Sequence, residues 1–500
     1  NMIDLCPVGA LTSGPYAFAA RPWELTKTES VDVLDAVGSN IRIDARGPEI
    51  LRVLPRINED VNEEWISDKS RFACDGLQRQ RLDRPYVRAN GKLKPATWDE
   101  AFQAINGAIE GVNGSAIAAI AGDLADCESM LALRDLMKSL GSQNLDCRQD
   151  GAKLDPNARA SYLFNSTISG IEDADALLLV GCNPRIEAPV LNARIRKRWV
   201  AGNFRIGMIG PAADLTYPVI PVGTCAKDLE MIAKGKGEFA ALMKQSEKPM
   251  IILGQTALRG EDGAAVLGLA HQLVDNLGMV SPGWNGFNVL HMAASRVGGL
   301  DLGFTPQSGG LDVAGILSGA KAGEIKVIYL LGADEINMQK LGDSFVIYQG
   351  HHGDAGAHRA DVILPGAAYT EKNATYVNTE GRAQLARRAI FPPGDAREDW
   401  TIIRALSALL GHQLPYDNIT ELRAELVQSN ANFLNIDQVL PAKWQKFGSN
   451  GTVSDKPFKP PFQNFYMTDP ISRASETMAK CTASFGLRLN ENNIKTGTDG

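Results

Sequence analysis

Short, wholly apolar runs recur along most of this 500-residue chain, and between them apolar residues fall at helical spacing. The runs lie at 117–121, 177–180, 206–209, 250–253, 327–331 and 345–348, and the helical patterns at 127–140, 187–200 and 263–277. A strand that is apolar on every residue has no solvent face, so both sides of its sheet must be covered. Alternation with helices supplies that cover and implies parallel strands. Gly181, Gly210, Gly254 and Gly332 each close one of these runs, where a strand gives way to a loop. The expected fold class is α/β, with two parallel-sheet lobes. The Gly-rich, aperiodic segment 281–315 is read as the crossing between them or a loop beneath one.

Residues 26–85 follow a different rule. Val31 and Val33, then Ile41 and Ile43, alternate with polar residues, and the turns at 38–40 and 46–49 separate them. This period of two predicts a small antiparallel β module. The lobes open at Thr97-Trp98-Asp99-Glu100, a capping box followed by Phe102, Ile105 and Ile109 on one helical face. The expected division is 1–25, the end of some preceding region; 26–85, the β module; 86–440, the lobes; and 441–500, a polar tail laid over a partner or over its own surface.

Charge and cysteine usage narrow the function classes. Lys and Arg number 51 against 58 Asp and Glu, a net charge of −7, which argues against a nucleic-acid partner. Seven cysteines, sparse and odd in number, do not make a disulfide scaffold. No apolar run approaches the ~20 residues of a membrane span, so any membrane connection is expected to go through a partner. The chain opens on Asn1, which suggests a processed chain or part of a longer one.

Three places could carry chemistry. Cys6-Pro7 has the form of the last ligand of a bacterial-type [4Fe–4S] cluster, where the thiolate binds iron and proline turns the chain away. The competing reading is a buried free thiol, and one cysteine needs three thiolates from elsewhere. The stretch 350–358 holds His351, His352 and His358, either a metal site or a strand-end loop whose imidazoles bond to backbone or to a partner. The segment 181–187 follows an apolar run and precedes a helix bearing Arg194, Arg196, Lys197 and Arg198. A diphosphate could use that helix N-terminus, but Glu187 in the first turn already satisfies the dipole and repels an anion. Neither G-x-G-x-x-G after a strand nor G-x-x-x-x-G-K-[ST] is present, and neither are G-x-S-x-G and H-E-x-x-H.

Longer motifs add a resemblance. Ala360-Asp361-Val362-Ile363-Leu364-Pro365, the stretch from Glu371 to Gln384 with Thr375, Asn378, Glu380, Gly381 and Arg382, and the TWDEA at 97–101 resemble the molybdopterin oxidoreductase superfamily. The segments 4–11 (DLCPVGAL), 57–69 (INEDVNEEWISDK), 180–189 (VGCNPRIEAP) and 348–356 (YQGHHGDAG) are similar to the large iron–sulfur subunits of respiratory complex I. The pair 465–469 (FYMTD) and 472–475 (SRAS) resembles the mitochondrial branch.

The resemblance implies a molybdopterin-oxidoreductase-like fold and a place in the peripheral arm of a complex that passes electrons from NADH, through flavin and iron–sulfur clusters, to ubiquinone. It implies that residues 1–25 end a ferredoxin-like region and that Cys6 is the last ligand of a [4Fe–4S] cluster. The other three ligands would lie in a missing upstream segment or another chain. The implied partners are peripheral-arm subunits, including the flavin-bearing NADH-binding subunit; the implied location is the matrix side of the mitochondrial inner membrane. The β module resembles a domain that holds a further [4Fe–4S] cluster in many members, yet it contains only Cys74. No molybdenum is expected, Cys147 being the nearest residue to a ligand and lacking any motif around it. No catalytic residue is expected in this chain. Two alternatives are a free-standing, formate-dehydrogenase-like molybdopterin enzyme and a pure scaffold with Cys6 unligated.

Overall fold

Why the apolar runs become central strands is visible in the computed structural model, which describes residues 2–486. Ile117–Ala121, Ala176–Val180, Pro249–Gly254 and Val327–Leu331 are buried at every position. They lie in two sheets. The first has seven strands in the order Lys92–Pro95, Tyr86–Ala89, Val362–Pro365, Phe345–Gly350, Val327–Leu331, Ile117–Ala121 and Asn144–Asp146. Its five strands from Val362–Pro365 onward run parallel, and the hairpin 86–95 closes the other edge antiparallel. The second sheet has five parallel strands: Ile220–Gly223, Arg205–Ile209, Ala176–Val180, Pro249–Gly254 and Phe287–Leu290.

The two lobes are nested. Ile117 pairs with Val327, so the whole second lobe is inserted between two adjacent strands of the first. One core joins them, running from Leu131 and Leu133 through Leu178 and Ile251 to Tyr329. The segment 281–315 combines two roles: it supplies the edge strand Phe287–Leu290 and then returns to the first lobe through the buried helix Arg296–Asp301.

Helices form where expected, with one correction. The capping box at Thr97 is present, its Oγ accepting the Glu100 amide at 3.2 Å while Glu100 accepts the Thr97 amide at 2.8 Å. Cys127–Ser139 and Gly263–Leu277 match their patterns. The pattern over 187–200 divides into a turn, Pro184–Glu187, and a helix, Pro189–Val200. Each piece begins on proline, whose missing N–H is tolerated at a helix start and breaks a helix interior.

The β module needs the same kind of correction. Thr26–Val31, Asn40–Arg46 and Glu49–Pro55 form an antiparallel sheet, but the chain then turns helical at Asp68–Phe72 and Ala73–Gln78. That helical layer, with Ile471 and Met478 from near the C-terminus, covers the sheet's inner face at Ile41, Ile43 and Val53. The described part of the tail lies over the chain's own surface. Trp444 stacks on His271 with ring centroids 4.9 Å apart, and the Ser449 amide donates to the Ala264 carbonyl at 2.9 Å.

Candidate functional site

Cys6 closes a single helical turn. The turn spans Met2–Leu5, and the Cys6 amide donates back to the Ile3 carbonyl at 3.4 Å. Pro7 cannot continue it. The chain then folds back around the sulfur, whose Sγ lies 2.9 Å from the Val8 carbonyl oxygen. Backbone hydrogen bonds from Val8, then Leu11, with a smaller one from Ala10, hold the thiol below its ordinary pKa against a small opposing effect of burial. Lowering the pKa of a thiol raises its share of thiolate, the metal-binding form.

The segment is held by arginines of the β module. Arg71, itself nearly buried, grips Asp4 through Nη1–Oδ1 at 3.1 Å and Nη2–Oδ2 at 2.5 Å. Arg52 lies 4.2 Å from the Tyr16 ring centroid, and Arg46 Nη1 donates to the Ala19 carbonyl at 3.0 Å. Beneath the segment a cavity of about 470 Å³ opens between Ile3, Leu11 and Tyr16 above and Leu51, Val53 and Cys74 below. Its outer side is apolar and exposed at Met2, Leu5, Val8, Leu11, Phe18 and Trp23. These six make half of the exposed large hydrophobic residues among the described residues. The arginine contacts were not legible in the sequence, because Arg71 and Asp4 are far apart along it and each looks like an ordinary surface residue.

Among the described residues no group of three or more His, Cys, Asp and Glu side chains is arranged to hold a metal ion. Cys74 is half-buried, its Sγ facing the Arg71 carbonyl at 3.7 Å, and burial followed by the charge of Asp75 pushes its thiol up to about 12. Cys147 is fully buried against Gly299, and burial followed by Asp146 pushes it to about 12 as well. The Cys6 environment fits one ligand of a cluster: a half-exposed thiol, a stabilised thiolate, and apolar surface around it.

His351 and His352 meet each other within the fold. His352 is buried and its Nε2 lies 2.9 Å from the Gly76 carbonyl oxygen, while its Nδ1 faces Nδ1 of His351. Burial, followed by the nearby Arg81 charge, lowers His352 to about 4. His358 sits in the short helix Ala355–Arg359, and its carbonyl accepts from Arg88 at 2.7 Å. The basic helix is likewise occupied. Arg194 pairs with Glu172 at 2.8 Å, Lys197 pairs with Glu63 and Glu172, and Arg198 donates to the Ala174 carbonyl at 2.7 Å.

An open α/β sheet offers its ligand site at the carboxyl ends of the strands. Here those ends converge on a cavity of about 670 Å³ lined by Asp123, Asp150, Glu187, Glu335 and Asp469 and by Lys69, Arg259 and Lys340. Burial would raise Asp150, but Arg296 at 2.9 Å and then Arg259 at 3.2 Å hold it at about 2. Burial pushes Glu187 to about 7 against the Asn183 amide that it accepts, and Glu335 to about 7 against Arg473. The adjacent helix turn is thus already filled by a carboxylate of the chain. Residues 461–464 and 467–469 of the tail line the same cavity. Five acidic side chains outnumber the three basic ones, and with the helix start filled the lining is a poor fit to the diphosphate of a dinucleotide-type cofactor.

Comparison with known proteins is decisive for the family. The model described as molybdopterin oxidoreductase matches residues 81–409. The NADH-ubiquinone oxidoreductase NDSU1/NuoG-like, 4Fe-4S domain matches 25–75, and a C-terminal domain of the same NADH-ubiquinone oxidoreductase subunit matches 434–481. The mitochondrial NADH-ubiquinone oxidoreductase 78 kDa subunit of Candida albicans is 50% identical over 98% of this chain and 68% of that protein. A NADH-quinone oxidoreductase subunit of Rickettsia bellii is 46% identical over 100% of this chain and 71% of its own length.

The chain belongs to the 78 kDa/NuoG-like subunit family of NADH–quinone oxidoreductases.

Another relative, the mitochondrial iron-sulfur protein 1 of NADH dehydrogenase [ubiquinone] from Solanum tuberosum, is 47% identical over 97% of this chain and 65% of its own. For this NuoG-like chain the likeness in fold extends well beyond sequence similarity. Acetylene hydratase from Pelobacter acetylenicus superposes with a TM-score of 0.62 at 12% identity, covering 82% of this chain and 72% of that one. That likeness shows the molybdopterin oxidoreductase fold and nothing of the activity. The β module that matches a 4Fe-4S domain contains one cysteine, Cys74.

Proposed function

We propose that this chain is a peripheral-arm subunit of respiratory complex I, lying on the matrix side of the mitochondrial inner membrane, that supports electron transfer from NADH through iron–sulfur clusters to ubiquinone. Its direct contribution is one thiolate, Cys6, to a [4Fe–4S] cluster whose other ligands come from a ferredoxin-like segment or chain packed on residues 1–25. The flavin-bearing NADH-binding subunit is among its neighbours, and the lobes serve as scaffold without molybdenum. What carries the reading is the presentation of Cys6: a half-exposed sulfur with a lowered pKa, 2.9 Å from the Val8 carbonyl oxygen, in a segment with Met2, Leu5, Val8 and Leu11 exposed, at the family's C-P-V-G-A-L position. Such a surface is finished only when a partner covers it.

The acidic crevice supports the cofactor-free role of the lobes. No helix among the described residues is long and apolar enough to cross a membrane, in keeping with a subunit attached through partners. The test is Cys6→Ala in the assembled complex, followed by iron analysis and electron paramagnetic resonance. One [4Fe–4S] signal and its iron should disappear, with the lobes still folded. An unchanged set of cluster signals would refute the role of Cys6, and stoichiometric molybdenum or tungsten in the complex would refute the role given to the lobes.

A further inference from the structure

We propose that Arg71 and Asp4 form a charge lock that positions the Cys6 sulfur and sets the electrostatic field at its cluster, an inference that rests on the reading of Cys6 given above. Asp4 is the only charged side chain between residues 2 and 20. The stretch that would border the cluster is therefore almost free of charge, and its one carboxylate is met by a guanidinium through two roughly parallel bonds, 3.1 and 2.5 Å long. Such a fork fixes orientation as well as distance. Asp4 and Cys6 are two residues apart, so their Cα atoms lie within about 7 Å. The Cys6 amide bond to Ile3 ties both into the same turn.

Arg71 is rigidly placed in its turn. Its helix is capped by Ser67, whose Oγ accepts the Ser70 amide at 3.0 Å, and Ser70 Oγ donates to the buried Asp32 at 2.7 Å. Positional information thus runs from the interior of the β module through Arg71 to the turn that carries the sulfur. Arg71 is a positioning residue; it need not touch the cluster.

Field and position make separable predictions. A [4Fe–4S] cluster on four thiolates is anionic, and adding an electron makes it more so. A nearby carboxylate opposes that reduction and a guanidinium favours it. The pair is close to neutral; either residue alone is not. In the assembled complex, Asp4→Asn should leave an unbalanced positive charge and shift the midpoint potential of the Cys6 cluster upward. Arg71→Met should leave an unbalanced carboxylate and shift it downward, with a broader resonance signal as the turn loosens. The charge swap Asp4→Arg with Arg71→Asp should return the potential toward the parent value.

Redox titration followed by electron paramagnetic resonance reads all three, with Cys6→Ala as the reference that identifies the signal. Loss of that signal in Cys6→Ala, together with unmoved potentials in Asp4→Asn and Arg71→Met or shifts of the same sign in both, overturns the charge lock and leaves the Cys6 reading standing. Retention of every cluster signal in Cys6→Ala overturns the reading beneath it. Should Arg71→Met fail to assemble, Asp4→Asn decides alone, since an unmoved potential there refutes the proposal.

Discussion

The turn around Cys6 and the crevice at the strand ends of the lobes are opposites. The crevice is crowded with ionisable groups, and most are answered from within the chain. Asp150 has Arg296 and Arg259, Glu335 has Arg473, and nearby Lys372 lies between Asp126 at 2.6 Å and Asp399 at 2.7 Å. Between residues 2 and 20 the Cys6 segment has one charge, Asp4, and apolar side chains that no described residue covers. In this fold the strand ends are the place where a ligand is ordinarily received. In this chain that place is a cavity whose charges are largely paired with one another, and the exposed apolar surface is at the edge. A region that satisfies itself contributes stability, and a region that does not is where another molecule completes the structure.

Substitutions can break or sharpen this contrast. The largest effect is expected at Lys372→Met, which strands two buried carboxylates, and breaking such a pair costs roughly 3–5 kcal/mol. Denaturant unfolding should show it as a lower midpoint, and retention of parent stability would mean that the fold does not depend on this buried Asp126–Lys372–Asp399 group. Leu178→Ala, in a strand with no exposed residue, should cost about 2–5 kcal/mol from the cavity it leaves, read as a loss of melting temperature.

Glu187→Gln tests the crevice through pH. The folded-state pKa of Glu187 is raised from an ordinary 4.5 to about 7, so between those values the folded chain binds a proton that the unfolded chain has released. Its contribution is full below about 4.5 and is lost as pH rises through about 7. The Gln variant should therefore lose part of the decline in stability between pH 5 and 8, a relative gain of about 2 kcal/mol at the upper end. Denaturation series at the two pH values check it, and Glu335 should retain its own share of the slope. The smallest effect on the chain itself belongs to Phe18→Ser, within about 0.5 kcal/mol, because the side chain is fully exposed. The same change should weaken incorporation into the complex, measured by native electrophoresis of the assembled enzyme.

Much of the fold was legible because its strongest signal is local. A run such as 327–331, apolar on every residue, has to be an interior strand wherever it ends up. The nesting of one lobe inside the other was not legible, since apolar runs are interchangeable as partners and nothing in 117–121 names Val327 as its neighbour. The edge strand at 287–290 was hidden by the glycines around it, and the helical layer at 68–78 by the alternation that precedes it. Pro184 and Pro189, each opening a separate helical piece, were readable signs of a break that the apolar pattern obscured. At the candidate site the split is similar. Cys6 was singled out weakly by Cys-Pro and strongly by the resemblance of the segment around it, whereas Asp4 and Arg71 carry meaning only once the chain has brought them together. Glu187 was read as lying in the first turn of the basic helix, whereas it ends the separate turn Pro184–Glu187, ahead of a helix that starts at Pro189.

The nested topology also imposes a schedule on synthesis. The strand Ile117–Ala121 leaves the ribosome about 200 residues before its neighbour Val327–Leu331. At typical elongation rates of 5–20 residues per second the interval is roughly 10–40 s. Until then the earlier strand has an unpaired edge and nothing to close the sheet on that side. The inserted lobe, complete by Leu290, can finish folding first and hold the two halves of its host near one another. A cell making this chain must shelter an apolar strand for that time, so holding chaperones should be found on ribosomes translating the span between the two strands.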